Sequence, residues 1–346
     1  MRTLKCDLIA TLSLMLCLCS GCMPVWRPMP PLPDLSRLEE GDIVLTFSGA
    51  IESWCLALSS GLDRDQGQIP YTHAEAVYRD GRGRLMLGGV SQGRVRSRRL
   101  KQAFPEFQHI AVYRANQPAD RRKQAACLLR QWIANPNIRA ATFDYTLQDV
   151  PGRRDKFCCV GFLNELFRCS ALEAPFRVGE WTPNEAGRHF SELLGYDLSH
   201  IILVDSVEGH PGYHNVFTWK NERVDMKRSQ LRENIAMQTL SWYDMGWRLK
   251  TSERFHIGLA LAHVPEPVKR LDRTRSQLCQ FACDVMKMWS RLERRGRIKG
   301  LDHAQQMDLL QAVCEKYRDR YFYHRDHPDP NILSLRSNAN TGTLGL

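Results

Sequence analysis

After residue 22 the chain has no run of about 18 consecutive apolar residues, so nothing beyond its start is expected to cross a bilayer as a helix. It also lacks the paired short Cys/His spacings of a zinc site, so no metal is expected. Glycine and proline are not in excess. With 23 Gly and 17 Pro in 346 residues, 43% hydrophobic and 25% charged, collagen-like, low-complexity and wholly disordered readings are excluded. A length of 346 allows two domains at ~150 residues each, or one larger domain with appendages. Acidic residues are the scarcer charge: 38 Asp+Glu against 48 Lys+Arg leave a formal +10, which concerns surfaces and partners rather than fold.

The first 21 residues read as an address. Arg2 and Lys5 form a basic start, and Leu8 to Cys19 is an apolar stretch of secretory length, too short to span. Leu18-Cys19-Ser20-Gly21-Cys22 resembles a bacterial lipoprotein signal, although Cys19 stands where leucine is common. The resemblance implies acylation of Cys22; the alternative is a plain signal peptide or an uncleaved anchor. Two or three acyl chains anchor stably, since each buried methylene contributes ~0.8 kcal/mol. Met23 follows Cys22, with no retention-type Asp, so the expectation is a periplasm-facing lipoprotein of the outer membrane. Pro24, Pro28, Pro30, Pro31 and Pro33 then disfavour helix, making residues 22–36 an extended tether or a strap on the domain surface.

Of 12 cysteines, Cys6, Cys17 and Cys19 lie in the leader and Cys22 is reserved for lipid. An exported chain can form disulfides, but the spacing of the rest resists pairing. Cys279 and Cys283 fall within the helical stripe Leu278, Ala282, Val285, Trp289, Leu292, and Cys314 within Met307, Leu310, Tyr317, Tyr321. These three are expected in the core as small hydrophobes, and Cys55, Cys127 and Cys169 as buried thiols.

Between residues 37 and 204 an α+β domain is legible. Strands are expected at 43–45, 72–78, 85–90 and 109–113, the middle two joined by Arg79-Asp80-Gly81-Arg82-Gly83, a hairpin turn signal. Helices are expected at 50–60, 119–134 and 157–167. Residues 205–337 read as mainly helical and basic, and 338–346 as a disordered tail.

Two residue types in the first region carry chemistry. His73 sits inside a strand, and Cys158-Cys159 opens the apolar helix. A cysteine at a helix N-terminus has its thiolate stabilised by unpaired N–H groups and the dipole. A nearby imidazole takes the thiol proton and returns it to a leaving group, while helix-start amides hold an oxyanion. Taken singly, each residue is as readily structural.

Their order and surroundings resemble the permuted NlpC-type, papain-like cysteine hydrolases, and within them the YaeF/YiiX lipoprotein group. The likeness runs through Glu40-Gly41-Asp42-Ile43-Val44, Thr72-His73-Ala74-Glu75-Ala76-Val77-Tyr78, Phe143-Asp144-Tyr145, Phe157-Cys158-Cys159-Val160-Gly161-Phe162-Leu163 and Gly179-Glu180-Trp181-Thr182-Pro183. It covers residues 37 to 200 with individually loose motifs in a shared order. It implies a small antiparallel sheet packed on helices, with Cys159 as nucleophile, Cys158 as the one-residue alternative, His73 as base and acid, and no cofactor. In that group a Glu on the strand after the histidine strand orients the imidazole. Here a hairpin turning about Gly81 puts Gly88 opposite position 73, with no carboxylate. Glu75, two residues from His73 on the same face, is the candidate orienting residue, with Ser91 and Gln92 as others.

Two functions follow. One is an envelope thiol hydrolase of amide bonds (peptide, peptidoglycan or acyl-amide) or ester bonds. The other is a binding or scaffolding lipoprotein that kept the fold and lost turnover. Residues 205–346 hold 23 Lys+Arg against 17 Asp+Glu, including Arg291, Arg294, Arg295, Arg297 and Lys299. A second basic run is Arg94, Arg96, Arg98, Arg99 and Lys101. For a membrane-tethered envelope protein such patches fit anionic lipid or wall polymer rather than nucleic acid, and equally ordinary solvated faces. His324 and His327 read as an exposed turn rather than a metal site.

Overall fold

The structure, a computed structural model, describes residues 32–59, 71–91, 94–143, 150–179, 188, 201–202, 204–221, 226–250 and 266–326. Cys22, Gln92, Tyr145, residues 180–183, His327 and the tail lie outside the described residues. No described helix is long and apolar enough to cross a membrane.

The centre is β1 (Ile43–Phe47), followed by α1 (Ile51–Ser59), β2 (His73–Arg79), β3 (Leu85–Ser91), β4 (Arg94–Arg99), β5 (His109–Ala115), α2 (Ala119–Ala134), α3 (Cys159–Cys169) and β6 (Tyr213–Lys220). The six strands form one antiparallel sheet in the order β6-β5-β1-β2-β3-β4. Every residue of β1 is buried, as a run of Ile, Val and Leu in a strand covered on both faces should be. Ile43, Leu45, Ala74, Ala76, Ala111 and Tyr113 face α2 and α3, whose Leu129, Trp132, Phe162, Leu163 and Phe167 fill that side. Val44, Val77, Leu87, Ile110 and Val112 face the other side, closed by Leu100, Phe104 and Phe107. Leu32 and Leu35 also pack there, so the end of the tether segment belongs to the fold.

The Gly41-Asp42 pair is structural. Gly41 has φ +88° and a Cβ would stand 2.7 Å from the Arg122 carbonyl, so only glycine fits. Asp42 is fully buried and takes a bidentate pair from Arg114 (Nε–Oδ1 2.7 Å, Nη2–Oδ2 2.9 Å). These contacts pin the turn that aims β1, and with it the strands that carry the site.

Two expectations are corrected here. The basic run at 94–99 is a strand: β4 alternates, with Val95 buried and Ser97 Oγ bonded to Tyr78 Oη (2.5 Å) on the helix side, leaving Arg96 and Arg98 on the other. Periodicity two was hidden by the density of arginine. Residues 213–220, read as part of a helical region, form β6 and extend the same sheet past residue 204.

After β6 come α4 (Met226–Asp244), β7 (Trp247–Leu249), α5 (Glu266–Arg294), α6 (His303–Tyr321) and β8 (Phe322–His324). Their Ile235, Trp242, Phe281, Val285, Cys314 and Phe322 join Phe47, Trp54 and Cys55 in a second core. Asp302 opens α6 with a capping box, its carboxylate bonded to the Gln305 N–H (2.8 Å). Cys55 and Cys314 are buried as expected, but Cys127 and Cys279 are half-buried and Cys169 and Cys283 exposed. The stripe of α5 centres on Phe281, Ala282 and Val285, and Cys283 lies 100° round the helix from Ala282. Cys169 is the last residue of α3, past the face that packs.

Candidate active site

His73 begins β2 and is paired across to Thr46 of β1. Cys159 begins α3, whose N-cap is Cys158. The run Val160-Gly161-Phe162-Leu163 buries three apolar side chains against the sheet, and this sets the helix start at the open end of β2. Cys158 is 1% exposed and its Sγ accepts the Gly161 N–H (3.2 Å), so its thiol is spent on the cap. Cys159 is the member of the pair that meets His73. The hydrogen bond and charge of the imidazole and the backbone N–H groups of Ala74 and Val160 all favour its thiolate. The eight cysteines among the described residues are thiols rather than disulfides.

The electrostatics follow from that geometry. Burial pushes the Cys159 thiol up, but the His73 hydrogen bond and charge, with the two N–H groups, outweigh it and hold the thiol below its ordinary value. Burial pulls the imidazole down, but the hydrogen bond and charge of Cys159 and then the charge of Glu75 raise it above 6.5, against the opposing charge of Arg98. The two shifts run in opposite directions, the sense that favours a thiolate beside an imidazolium.

Behind the imidazole, His73 Nε2 is buried and has no hydrogen-bond partner among the described residues, so Nδ1 is the nitrogen available to the thiol. The nearest carboxylate is Glu75 Oε2, 3.9 Å from Nε2. Glu75 is fully buried and is bonded to Arg98, Nη2–Oε2 2.6 Å and Nε–Oε1 3.4 Å. Arg98 also reaches Glu106 (Nη1–Oε2 3.1 Å) and lies over the Phe107 ring at 4.8 Å.

The expected pairing of position 73 with Gly88 is wrong. Gly88 faces Ala76, with the hairpin centred on Arg82. Asp80 bonds the N–H groups of Arg82 (2.9 Å) and Arg84 (3.0 Å), and Gly83 takes φ +73°, in a loop over 80–84 that shifts the register by three residues from the expected one. An odd shift moves every side chain of β3 to the opposite face. Gly88 therefore lies under α2, where a Cβ would meet Ile133 Cδ1 at 2.6 Å. Gly89 lies beside Glu75, whose Cγ is 3.1 Å from where its Cβ would be. Continued by three pairs, the register puts Ser91 opposite His73.

Arg98, Gly89 and Thr46 escaped the sequence reading. Strand alternation within the basic run was the signal that would have found Arg98. Among the described residues no three His, Cys, Asp or Glu side chains are grouped to hold a metal ion. His324 bonds the Met245 carbonyl (Nε2–O 3.0 Å) and lies 3.7 Å from Asp326, which gives it a structural role. The chain matches no family model, no curated protein and no solved structure.

Proposed function

We propose that this chain is a thiol-dependent acyl hydrolase acting on amide or ester bonds. The observation that carries the reading is the Cys159–His73 pair at a helix start, with the thiol's pKa lowered and the imidazole's raised. Cys159 Sγ attacks the acyl carbon, forming an S–C bond while the C–N or C–O bond breaks. The leaving amine or alcohol takes its proton from the His73 imidazolium. Neutral His73 then accepts a proton from water, whose oxygen attacks the thioester, releasing the acid and restoring the thiol. No step calls for a cofactor. The Gly161 N–H is occupied by Cys158 and the Val160 N–H serves the Cys159 thiolate, so an oxyanion draws on the Cys159 amide.

The resemblance to permuted NlpC-type hydrolases supports the same reading, and the lipoprotein-like start supports an envelope location with a peptidoglycan, peptide or acylated substrate. The outward arginines of β4 and the basic turn after α5 suit anionic lipid or wall polymer.

The test is iodoacetamide labelling of the full chain in mild detergent from pH 4 to 9, with peptide mapping. Fast labelling of Cys159 well below pH 8, slowed by His73→Ala, supports the hydrolase and directs a substrate screen. Labelling no faster than an ordinary thiol sinks it. The second reading, a binding lipoprotein without turnover, draws on Glu75 being engaged by Arg98 rather than hydrogen-bonded to His73. It predicts ligand retention with no acyl-enzyme mass on Cys159.

A further inference from the structure

Arg98 belongs to a run that reads as a basic surface, yet its guanidinium is turned inward onto the one carboxylate behind His73. Four observations converge on that contact. Glu75 is fully buried, and a buried charge needs an opposite charge against it. Arg98 supplies two nitrogens to its two oxygens, at 2.6 and 3.4 Å. Arg98 is itself held from behind by Glu106 and from one side by the Phe107 ring. Gly89 leaves the space that Glu75 Cγ occupies.

We infer that Arg98 is a positioning residue of the active site, holding the Glu75 carboxylate behind His73 as the anionic neighbour of the imidazole that serves Cys159. The inference rests on the hydrolase reading of Cys159 and His73 and adds the pair that acts behind them.

The charged groups facing Glu75 are His73 on its own strand and Arg98 on β4, with Glu106 beyond Arg98. Exposed Arg96 shares that face of β4, and Cys159 acts through His73. Arg98 repels the imidazolium directly, so a purely coulombic role makes its removal raise the imidazole's pKa. A role through Glu75 has the opposite sign. Without its cation the buried carboxylate is no longer held beside the ring, the imidazole loses its anionic neighbour, and thiolate formation moves to higher pH.

The experiment is the pH profile of Cys159 alkylation in the full chain for wild type, Arg98→Met, Arg98→Lys, Glu75→Gln, the Glu75→Gln/Arg98→Met double variant and His73→Ala. Arg98→Met and Glu75→Gln are expected to shift the acid limb upward alike, by about half to one pH unit, so that labelling on that limb slows about 3- to 10-fold. Arg98→Lys keeps the charge and stays near wild type. The double variant shifts no further than Glu75→Gln, because Arg98 acts only through Glu75. A salt bridge that merely staples β2 to β4 changes stability and leaves the profile in place. An Arg98→Met profile that matches wild type, or moves downward, overturns the inference while a His73→Ala effect leaves the hydrolase reading standing. If His73→Ala itself changes nothing, both fall. Should Arg98→Met not fold, Glu75→Gln and Arg98→Lys decide: an unshifted Glu75→Gln profile overturns the proposal.

Discussion

His73 Nε2 and Glu75 Oε2 stand 3.9 Å apart on one face of one strand, the first buried without a hydrogen-bond partner among the described residues and the second committed to Arg98. Successive odd positions of a strand share a face, so two residues of the local sequence supply both the base and the carboxylate behind it. The distance is one short side-chain adjustment from a hydrogen bond, and Arg98 sets which way the carboxylate leans.

The two adjacent cysteines separate cleanly by variant. Cys158→Ser keeps an acceptor for the Gly161 N–H and should leave both stability and Cys159 alkylation near wild type. Cys158→Ala should destabilise the fold by about 0.5–2 kcal/mol in urea titration, as a lost N-cap does, and still label at Cys159. Loss of Cys159 reactivity in Cys158→Ser would mean the nucleophile has been misassigned.

The His73 titration follows from the directions of the shifts. Its folded pKa is raised above 6.5, so the stability contributed by the protonated ring is fully present below that value and fades as pH rises through the folded pKa. Cys159, lowered from 9.0, contributes above its unfolded value and loses that contribution as pH falls through the folded one. In Cys159→Ala, burial and Arg98 oppose only Glu75, and the imidazole should titrate lower than in wild type. NMR of histidine-labelled protein reads this directly, and an unmoved titration would show that the two groups are not paired.

His109 provides a contrast. Burial lowers it to about 4, aided by Lys220, so the ring is neutral in the fold and protonates at 6.5 when unfolded. Stability should therefore fall as pH drops from 6.5 toward 4, and His109→Gln should flatten that limb of the urea midpoint.

Gly88→Ala drives a methyl to 2.6 Å from Ile133 Cδ1 and 3.1 Å from Leu129 Cδ2. The helix α2 must lift or its side chains must leave their rotamers, at a cost of about 1–3 kcal/mol. Gly89→Ala instead presses on Glu75 Cγ at 3.1 Å and should alter the Cys159 pH profile more than the urea midpoint. Equal effects of the two on stability alone would contradict the assigned register.

Asp42→Ala removes the buried carboxylate from Arg114, whose side chain is only 14% exposed and keeps Glu39 and the Arg37 carbonyl as partners. Losing hydrogen bonds to a charged group costs about 1.5–3 kcal/mol, and the urea midpoint should fall accordingly. A change below 1 kcal/mol would remove Asp42 from the structural account.

Much of this protein is written in local pattern. The strands at 43, 73, 85 and 109, the helix at 119–134 and the helix begun by Cys158-Cys159 all follow from apolar periodicity and turn residues, because each buries one face and the period reports it. The candidate site was legible to the same depth. His73 and Cys159 stand at element starts, and Glu75 shares a face with His73 by strand alternation alone. What only the tertiary structure decided is everything set by pairing between distant segments. The loop over 80–84, with left-handed Gly83, shifts the register by three residues and exchanges the roles of Gly88 and Gly89. Strand β6 joins from beyond residue 204, because β5 offers it an open edge. Arg98 turns from surface charge into a partner of Glu75, since a buried carboxylate must find a cation, and which of many arginines it finds depends on register across three strands.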